Sequence, residues 1–449
     1  MRVKAINRNE EEETRERQQD IKKVHRNYDP NLHQFERAHE YTRALNAVKL
    51  DRVFAKPFIA AFPHDDGITT LARNPRSLNS IVSGAADGDI RILDIAAKRT
   101  LRRLVGHTAA VRGIAFAPDG ETAVSCSTDA TVKLWKVPFA PLEYGTVQQD
   151  AEPVFEFQGK HAFRGIDHHW GRNQFATAGA VVDVWDHTRS EPTHSFAWGS
   201  DTVTSARFNP AEADLFATTG SDRSVALFDL RSATPIRKII MQTRCNALAW
   251  NPMEAFNFTV ANEDCCLYTY DMRKLTSALC VHKDFVSAVM DVDYSPTGRE
   301  FVAGSYDRSV RIFPHTGGHS REVYTTKRMQ RVFTVRFSGD ATYVFSGSDD
   351  MNVRVWKSEA SEQLGVPLPR EKKKHAYNKA LINRFQHMPD VKRVTRHRHV
   401  PAAIYKTAKV RRTMEESANR KLKNRVAHSA PGSVKIKATR KKKLIAEVE

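Results

Sequence analysis

No apolar run in the 449-residue chain approaches the ~20 residues needed to cross a bilayer. The first residues, Met1 to Arg8, lack the apolar stretch of a secretory signal, so neither a membrane-spanning nor a secreted protein is expected. Cysteine is scarce: five residues, at 126, 245, 265, 266 and 280, with no Cys-x-x-Cys pair. Such a set cannot frame a disulfide scaffold, argues against structural zinc and fits a reducing compartment. The phosphate-cradling loops Gly-x-x-x-x-Gly-Lys-Ser/Thr and Gly-x-Gly-x-x-Gly are missing. So are the His-Glu-x-x-His pair of zinc proteases and the Gly-x-Ser-x-Gly elbow of hydrolases. The expectation is a protein with no enzymatic activity, cofactor, metal, membrane partner or small-molecule substrate.

Positive charge is abundant and unevenly placed. Lys and Arg number 70 against 52 Asp and Glu, a net +18. Residues 1–55 carry net +2, residues 56–357 balance at 34 of each sign, and residues 358–449 hold 24 basic against 8 acidic side chains. A neutral centre, 41% apolar residues overall and a cationic tail imply a globular scaffold tethered to a polyanion.

The centre repeats itself. Small residues, then Asp, then an alternating strand ending in a large apolar residue recur as Ser83–Asp87 to Leu93, Ser125–Asp129 to Trp135, and Thr219–Asp222 to Phe228. Further copies run from Asn262–Asp264 to Tyr270, Gly304–Asp307 to Phe313, and Gly347–Asp350 to Trp356. In these six copies the Asp precedes the strand end by six positions; a seventh, ending at Trp185, lacks it. The seven strand ends are spaced by 42 to 43 residues, with one step of 50. Turn signals such as Asn74-Pro75, Asn209-Pro210, Asn251-Pro252 and Pro118-Asp119-Gly120 precede the small-residue strands. A period of this length with this ending marks a WD-repeat β-propeller of four strands per blade. The fold expected is therefore all-β, a seven-bladed propeller over 57–357, with an N-terminal arm (1–56) and a basic, helical C-terminal domain (358–449).

Three details refine the propeller. His107, a serine on the repeat's third strand, Asp129 and Trp135 can form a hydrogen-bonded tetrad within one blade. A hydrolase triad is the weaker reading, because the Asp recurs in six blades and catalysis needs it once. Pro57–His64 stands where Leu101–His107 stands in the next repeat, so 57–62 is expected to supply the outer strand of the last blade and remove a free edge. Blade three has a short hairpin, Thr177–Asp183, after a long connection at 138–156, which suits either repeat drift or a partner site.

Both extensions read as helical. Phe35, Ala38, Tyr41, Leu45 and Val48 make a stripe in the arm, whereas the acidic run Glu10–Glu13 reads as a solvated face. The tail holds a helix-like stretch with Leu381 and Phe385, then the basic run Val391–Pro401, and a cationic helix from Pro401 to about His428. Arg440–Lys443 resembles a nuclear import patch. Lys392, Arg393, Arg396, Arg398, Lys409, Arg411, Arg412, Arg420 and Lys421 are the candidates for RNA contact, spread out as suits tracking a phosphate backbone.

Two segments outside the repeats carry a resemblance over nearly the full chain. Asn27–Pro30 with Arg43–Phe58, and Arg396–Pro401 with Ile404-Tyr405-Lys406, are similar to the arm and C-terminal domain of the SOF family of WD-repeat proteins. The resemblance implies a nucleolar component of the small-subunit processome, associated with the U-three small nucleolar ribonucleoprotein. Its expected partners are pre-ribosomal RNA or small nucleolar RNA and processome proteins. Some members of the family are implicated as substrate receptors of cullin-four RING ubiquitin ligases. Asp229-Leu230-Arg231 and Asp271-Met272-Arg273, after the strand ends of blades four and five, resemble the Asp-x-Arg of such receptors. Arg231 and Arg273 are thus the candidate contacts to the ligase adaptor, unless they simply pair on the blade rim.

Overall fold

A computed structural model describes residues 34–136, 152–197, 201–232 and 235–448. The acidic run at 10–13, the Asn27–Pro30 segment and most of the long connection before blade three lie outside these residues. The chain divides into two compact units: the arm up to Pro57 together with Glu359–His399, and Phe58–Ser358 together with the remainder of the C-terminal segment.

The second unit contains seven antiparallel sheets, one per repeat. Blade two illustrates the order, with strands Val111–Phe116, Thr122–Ser127, Thr131–Lys136 and Phe155–Gln158 paired in succession. The second strands of blades one, four and five (Ser80–Ala85, Leu215–Gly220, Asn257–Asn262) are buried along their whole length. Both faces of each sheet are covered by neighbouring blades, so these strands lose the usual polar alternation. The small residues of the repeat follow from the same packing. A Cβ on Gly84 would meet Val111 Cγ1 of blade two at 2.9 Å, and one on Gly347 would meet Ile68 Cγ2 of blade one at 2.6 Å.

The recurring Asp builds a turn. In five blades its Oδ1 accepts the N–H two residues on: Asp87 to Asp89, Asp129 to Thr131, Asp222 to Ser224, Asp264 to Cys266 and Asp307 to Ser309, at 2.8–3.1 Å. The residue between is left-handed in all six blades that carry the Asp: Gly88, Ala130, Arg223, Cys265, Arg308 and Met351, with φ from +61° to +95°. The side-chain bond holds a conformation that non-glycine residues resist. Blade three has no such Asp, and its turn at Gly179–Val181 has no left-handed residue.

The ring closes as expected. Phe58–Pro63 pairs antiparallel with Asn352–Lys357, with Phe58 opposite Trp356 and Phe62 opposite Val353. Phe62 is 2% exposed and lies in one cluster with Ile68, Leu71 and Leu93 of blade one and Phe345, Val353 and Val355 of blade seven.

Asn-Pro turns do more than turn. Asn74 caps its own turn through Oδ1 and donates Nδ2–H to Gly120 O of the next blade at 2.9 Å. Asn209 to Ala255 O (2.8 Å) and Asn251 to Gly298 O (3.2 Å) repeat this staple. Gly298 (φ +66°) must be glycine twice over, since a Cβ there would also sit 2.5 Å from Asn251 Oδ1.

Among the described residues the first unit holds three helices: α1 (Glu36–Val53), α2 (Pro369–Phe385) and α3 (Pro389–Arg396). Here the sequence stripe is corrected. Phe35 and Ala38 are exposed, and α1 buries Glu40, Ala44, Ala47 and Val48 against α2 and α3. The inward face includes an acid because Arg384 of α2 pairs with Glu40 at 3.0 Å, while Tyr41 donates to Asp390 at 2.9 Å and stacks edge-on with Phe385. The tail thus has one helix more than the two the sequence suggests.

The second unit also holds α4 (Ala402–Ala427), capped by Pro401 rather than including it, and a final strand, Leu444–Val448. That strand extends blade four to five strands by pairing with Lys238–Met241. Among the described residues no helix is long and apolar enough to cross a membrane.

Removing the seam core should loosen the ring. Phe62→Ala is expected to destabilise the chain by ~3–5 kcal/mol, as is Trp135→Ala within blade two. Chemical denaturation followed by tryptophan fluorescence checks the first, and an unchanged midpoint for Phe62→Ala would show that the ring closes without this strand.

Candidate functional site

The Ser-His-Asp set of blade two is assembled and inward-facing. His107 Nδ1 lies 3.0 Å from Asp129 Oδ2, and Nε2 lies 2.7 Å from Ser125 Oγ. A carboxylate only accepts, so Nδ1 carries the proton and Nε2 accepts from the Ser125 hydroxyl. That hydroxyl in turn accepts the Trp135 Nε1–H at 2.8 Å. The serine oxygen is fully buried and capped by an indole, with no path to a substrate. Partial versions recur: His64 with Ser83 in blade one (2.9 Å), Trp185 with Thr177 in blade three (2.9 Å) and Trp356 with Ser346 in blade seven (2.8 Å). This is blade architecture.

Burial sets the state of these imidazoles. It pushes the pKa of His64, His168 and His282 down to about 4, and lowers that of His107 as well, against the opposing pull of Asp129.

Asp65, Asp87 and Asp89 approach closely enough to hold a cation. Two guanidiniums already balance them, with Arg91 Nε at 2.8 Å and Arg103 Nε at 2.7 Å from Asp89.

Both rim arginines are exposed and both are engaged. Arg231 pairs with Asp214, its Nε at 2.8 Å, and Asp214 also takes Arg172 at 2.8 Å. Arg273 grips Asp271 of its own Asp-x-Arg through Nε and a terminal nitrogen, at 3.0 and 2.9 Å, and its guanidinium stacks 4.0 Å above the Phe256 ring.

The nine tail residues fall into two sets, one in each compact unit. In the first, Lys392, Arg393 and Arg396 are exposed on α3, Arg393 standing 4.0 Å from Asp390. Arg398 turns back to the carbonyl oxygens of Thr395 and His397. In the second, Lys409, Arg412, Arg420 and Lys421 are exposed along α4, Arg412 pairing with Glu416 at 2.9 Å. Arg411 differs from its neighbours. Its guanidinium donates to Phe285 O at 3.0 Å and lies 3.3 Å from Cys265 Sγ, tying α4 to blades five and six. Composition could not separate Arg411 from Arg412; the only available signal was helical phase, since Ile404, Ala408 and Arg411 share one face.

Comparison with known proteins follows this division. Residues 358–444 match the Sof1-like domain, and residues 98–136, 273–313 and 318–357 match the WD domain, G-beta repeat. The chain is 50% identical to the Xenopus laevis protein named DDB1- and CUL4-associated factor 13, and 48% identical to the human protein of that name, each alignment covering 100% of both chains. It is 44% identical to Protein SOF1 of Saccharomyces cerevisiae, over 94% of this chain and 91% of that one.

The buried histidines make stability pH-dependent in a defined window. Unfolded imidazoles take up a proton below their ordinary pKa near 6.5, whereas His64, His168 and His282 resist it until about 4. The stability they contribute is complete above ~6.5 and is lost as pH falls from there towards 4, at up to ~1.4 kcal/mol per pH unit for each group. The melting temperature should therefore drop between pH 7.5 and 5.0, and by less in a His282→Gln variant; equal slopes for the two would contradict the assignment.

Proposed function

The chain belongs to the SOF family of WD-repeat proteins, which serves the making of the small ribosomal subunit, and from that premise we propose that it is a non-enzymatic assembly factor of the small-subunit processome. Its place is the nucleolus, in company with the U-three small nucleolar ribonucleoprotein. The propeller offers its rims to processome proteins, and the tail grips pre-ribosomal RNA. What carries the division of labour is the charge: +16 in residues 358–449 against zero in residues 56–357. The exposed cations of α4 support the reading, since a helix with eight basic and two acidic side chains and one buried residue has little to offer an apolar core.

The test uses the full chain with Lys409, Arg412, Arg420 and Lys421 changed to Gln. Its affinity for structured pre-ribosomal RNA should fall, and the slope of log affinity against log salt should flatten by about 3. Equal binding by variant and parent would mean that α4 docks on acidic protein surfaces instead.

A second reading rests on the names of the vertebrate relatives, which associate those proteins with DDB1 and CUL4. In it, Arg231 and Arg273 also contact the propeller adaptor of a cullin-four ligase. Arg231→Glu with Arg273→Glu should then abolish capture by purified adaptor while the chain still enters pre-ribosomal particles. Undiminished capture removes these two residues from that interface.

A further inference from the structure

α4 does not lie flush on the propeller. Between it, the blade-five turn at Asp264–Cys266, the Val281–Val286 connection and the turn before the final strand lies a cleft of about 820 Å³. The cleft is braced on three sides. Arg411 ties the helix to Phe285 O, the 444–448 strand pairs with blade four, and Arg440 O accepts the Ala278 N–H at 3.2 Å.

Two of its three acids, Asp264 and Asp284, are already satisfied, and the third, Glu415, is exposed on α4. Asp264 accepts from Cys266 N–H (3.0 Å) and the Tyr268 hydroxyl (2.6 Å), with Lys443 at 3.9 Å. Asp284 accepts from both the N–H and the hydroxyl of Ser320, at 2.6 and 2.8 Å, and lies 2.9 Å from His319 Nδ1. Its cations are not all spent. Lys283 and Lys442 both line the cleft and are exposed, and among the described residues neither ammonium makes an ion pair. Counting all charged side chains around it except His319, five are basic and three acidic. The lining also has an apolar part, which includes Val281, Cys266 and the exposed Met414.

We propose that this cleft binds a short run of single-stranded RNA, its phosphates held by Lys283 and Lys442 and an unstacked base laid against Met414 and Val281. The inference rests on the reading of the tail as an RNA anchor and gives that anchor a defined seat. Unspent ammonium groups in one cleft with apolar side chains match the two faces of an unpaired nucleotide, charged backbone and stackable base. A duplex presents its bases only to one another and exceeds the volume. An acidic peptide would use the lysines and leave the apolar wall idle.

The experiment compares the full chain with its Lys283→Gln/Lys442→Gln variant, using a short oligouridylate, a duplex RNA of equal length and polyglutamate as probes. Both lysines are exposed, so the variant should keep the parent's melting temperature. Loss of two phosphate contacts should flatten the salt slope for the single strand by about 1.4 and weaken it roughly ten-fold at ~0.15 M salt, leaving the duplex unchanged. An oligomer bearing 4-thiouridine should crosslink within 264–286 and 408–415. If parent and variant bind the single strand alike, the cleft proposal falls while the anchor reading stands. If the parent binds no RNA, both fall. If polyglutamate binds the parent more tightly than the single strand and loses that advantage in the variant, the occupant is an acidic protein segment and the proposal is overturned.

Discussion

Everything in the propeller depends on one edge being paired. A four-stranded sheet with two apolar faces has no stable existence alone, and stacking seven of them only moves the exposed faces to the two ends of the row. Closing the row joins blade seven to blade one, and a strand from before the first repeat completes blade seven. Phe58–Pro63 does this chemically as well as topologically. Phe62 enters the seam core, the His64 N–H bonds Met351 O of blade seven at 2.7 Å, and the His64 ring bonds Ser83 of blade one. Seven consecutive residues thereby touch both sides of the junction. Sequence distance is the cost: the partners lie about 290 residues apart, so closure must overcome the entropy of a long loop.

Polar side chains set the register between blades. Apolar stacking is non-directional and would tolerate a blade sliding on its neighbour. The Asn staples at the turns fix one end of the stack. On the first strands of blades three and six, carboxylates do the same: Asp167 accepts the Phe208 N–H, Asp291 the Val335 N–H and Asp293 the Phe337 N–H, at 2.8–3.0 Å. Each bond spans one repeat, so a shift of a single residue would orphan buried donors along the seam. The tetrad of blade two acts within a sheet in the same way. Its resemblance to a catalytic triad comes from a common need, a histidine held in one tautomer by a carboxylate, and its burial removes any chemical use.

How much of this could be read beforehand depends on whether a residue's role repeats. The Asp, the large apolar residue that ends the strand and the small residues recur at a fixed period, and seven blades with the closing strand were legible from them. The left-handed residue after each Asp was hidden, because Gly88, Ala130, Arg223, Cys265, Arg308 and Met351 share no side-chain chemistry. The arm helix misled for a different reason. Phe35 fits an apolar stripe by type, yet α1 turns a glutamate inward to meet Arg384, and an ion pair across 344 residues leaves no trace in local periodicity. The final strand was unreadable as well. Leu444–Val448 is five residues long, and its identity as a strand is supplied by the edge it meets at Lys238–Met241.

The tail's attachment explains how a basic segment can be both anchored and available. If charge alone held it, every cation bound to the propeller would be one fewer for a polyanion. Residues 400–448 instead use groups with nothing to offer a phosphate: the backbone of Leu444–Val448 against blade four, the carbonyl oxygens of Lys442 and Lys443 accepting from Gln242 at 3.2 and 3.0 Å, and the Leu444 side chain against the blade-five core. Two cations are exceptions: Arg411 binds a carbonyl oxygen and lies beside a thiol, and Lys443 stands 3.9 Å from the Asp264 carboxylate. A propeller of zero net charge exerts no overall electrostatic pull on a cationic tail, so its hold on the tail has to come from other contacts. The net neutrality of residues 56–357 and the backbone mode of attachment are therefore two sides of one arrangement, which leaves the positive charge of α4 facing outward.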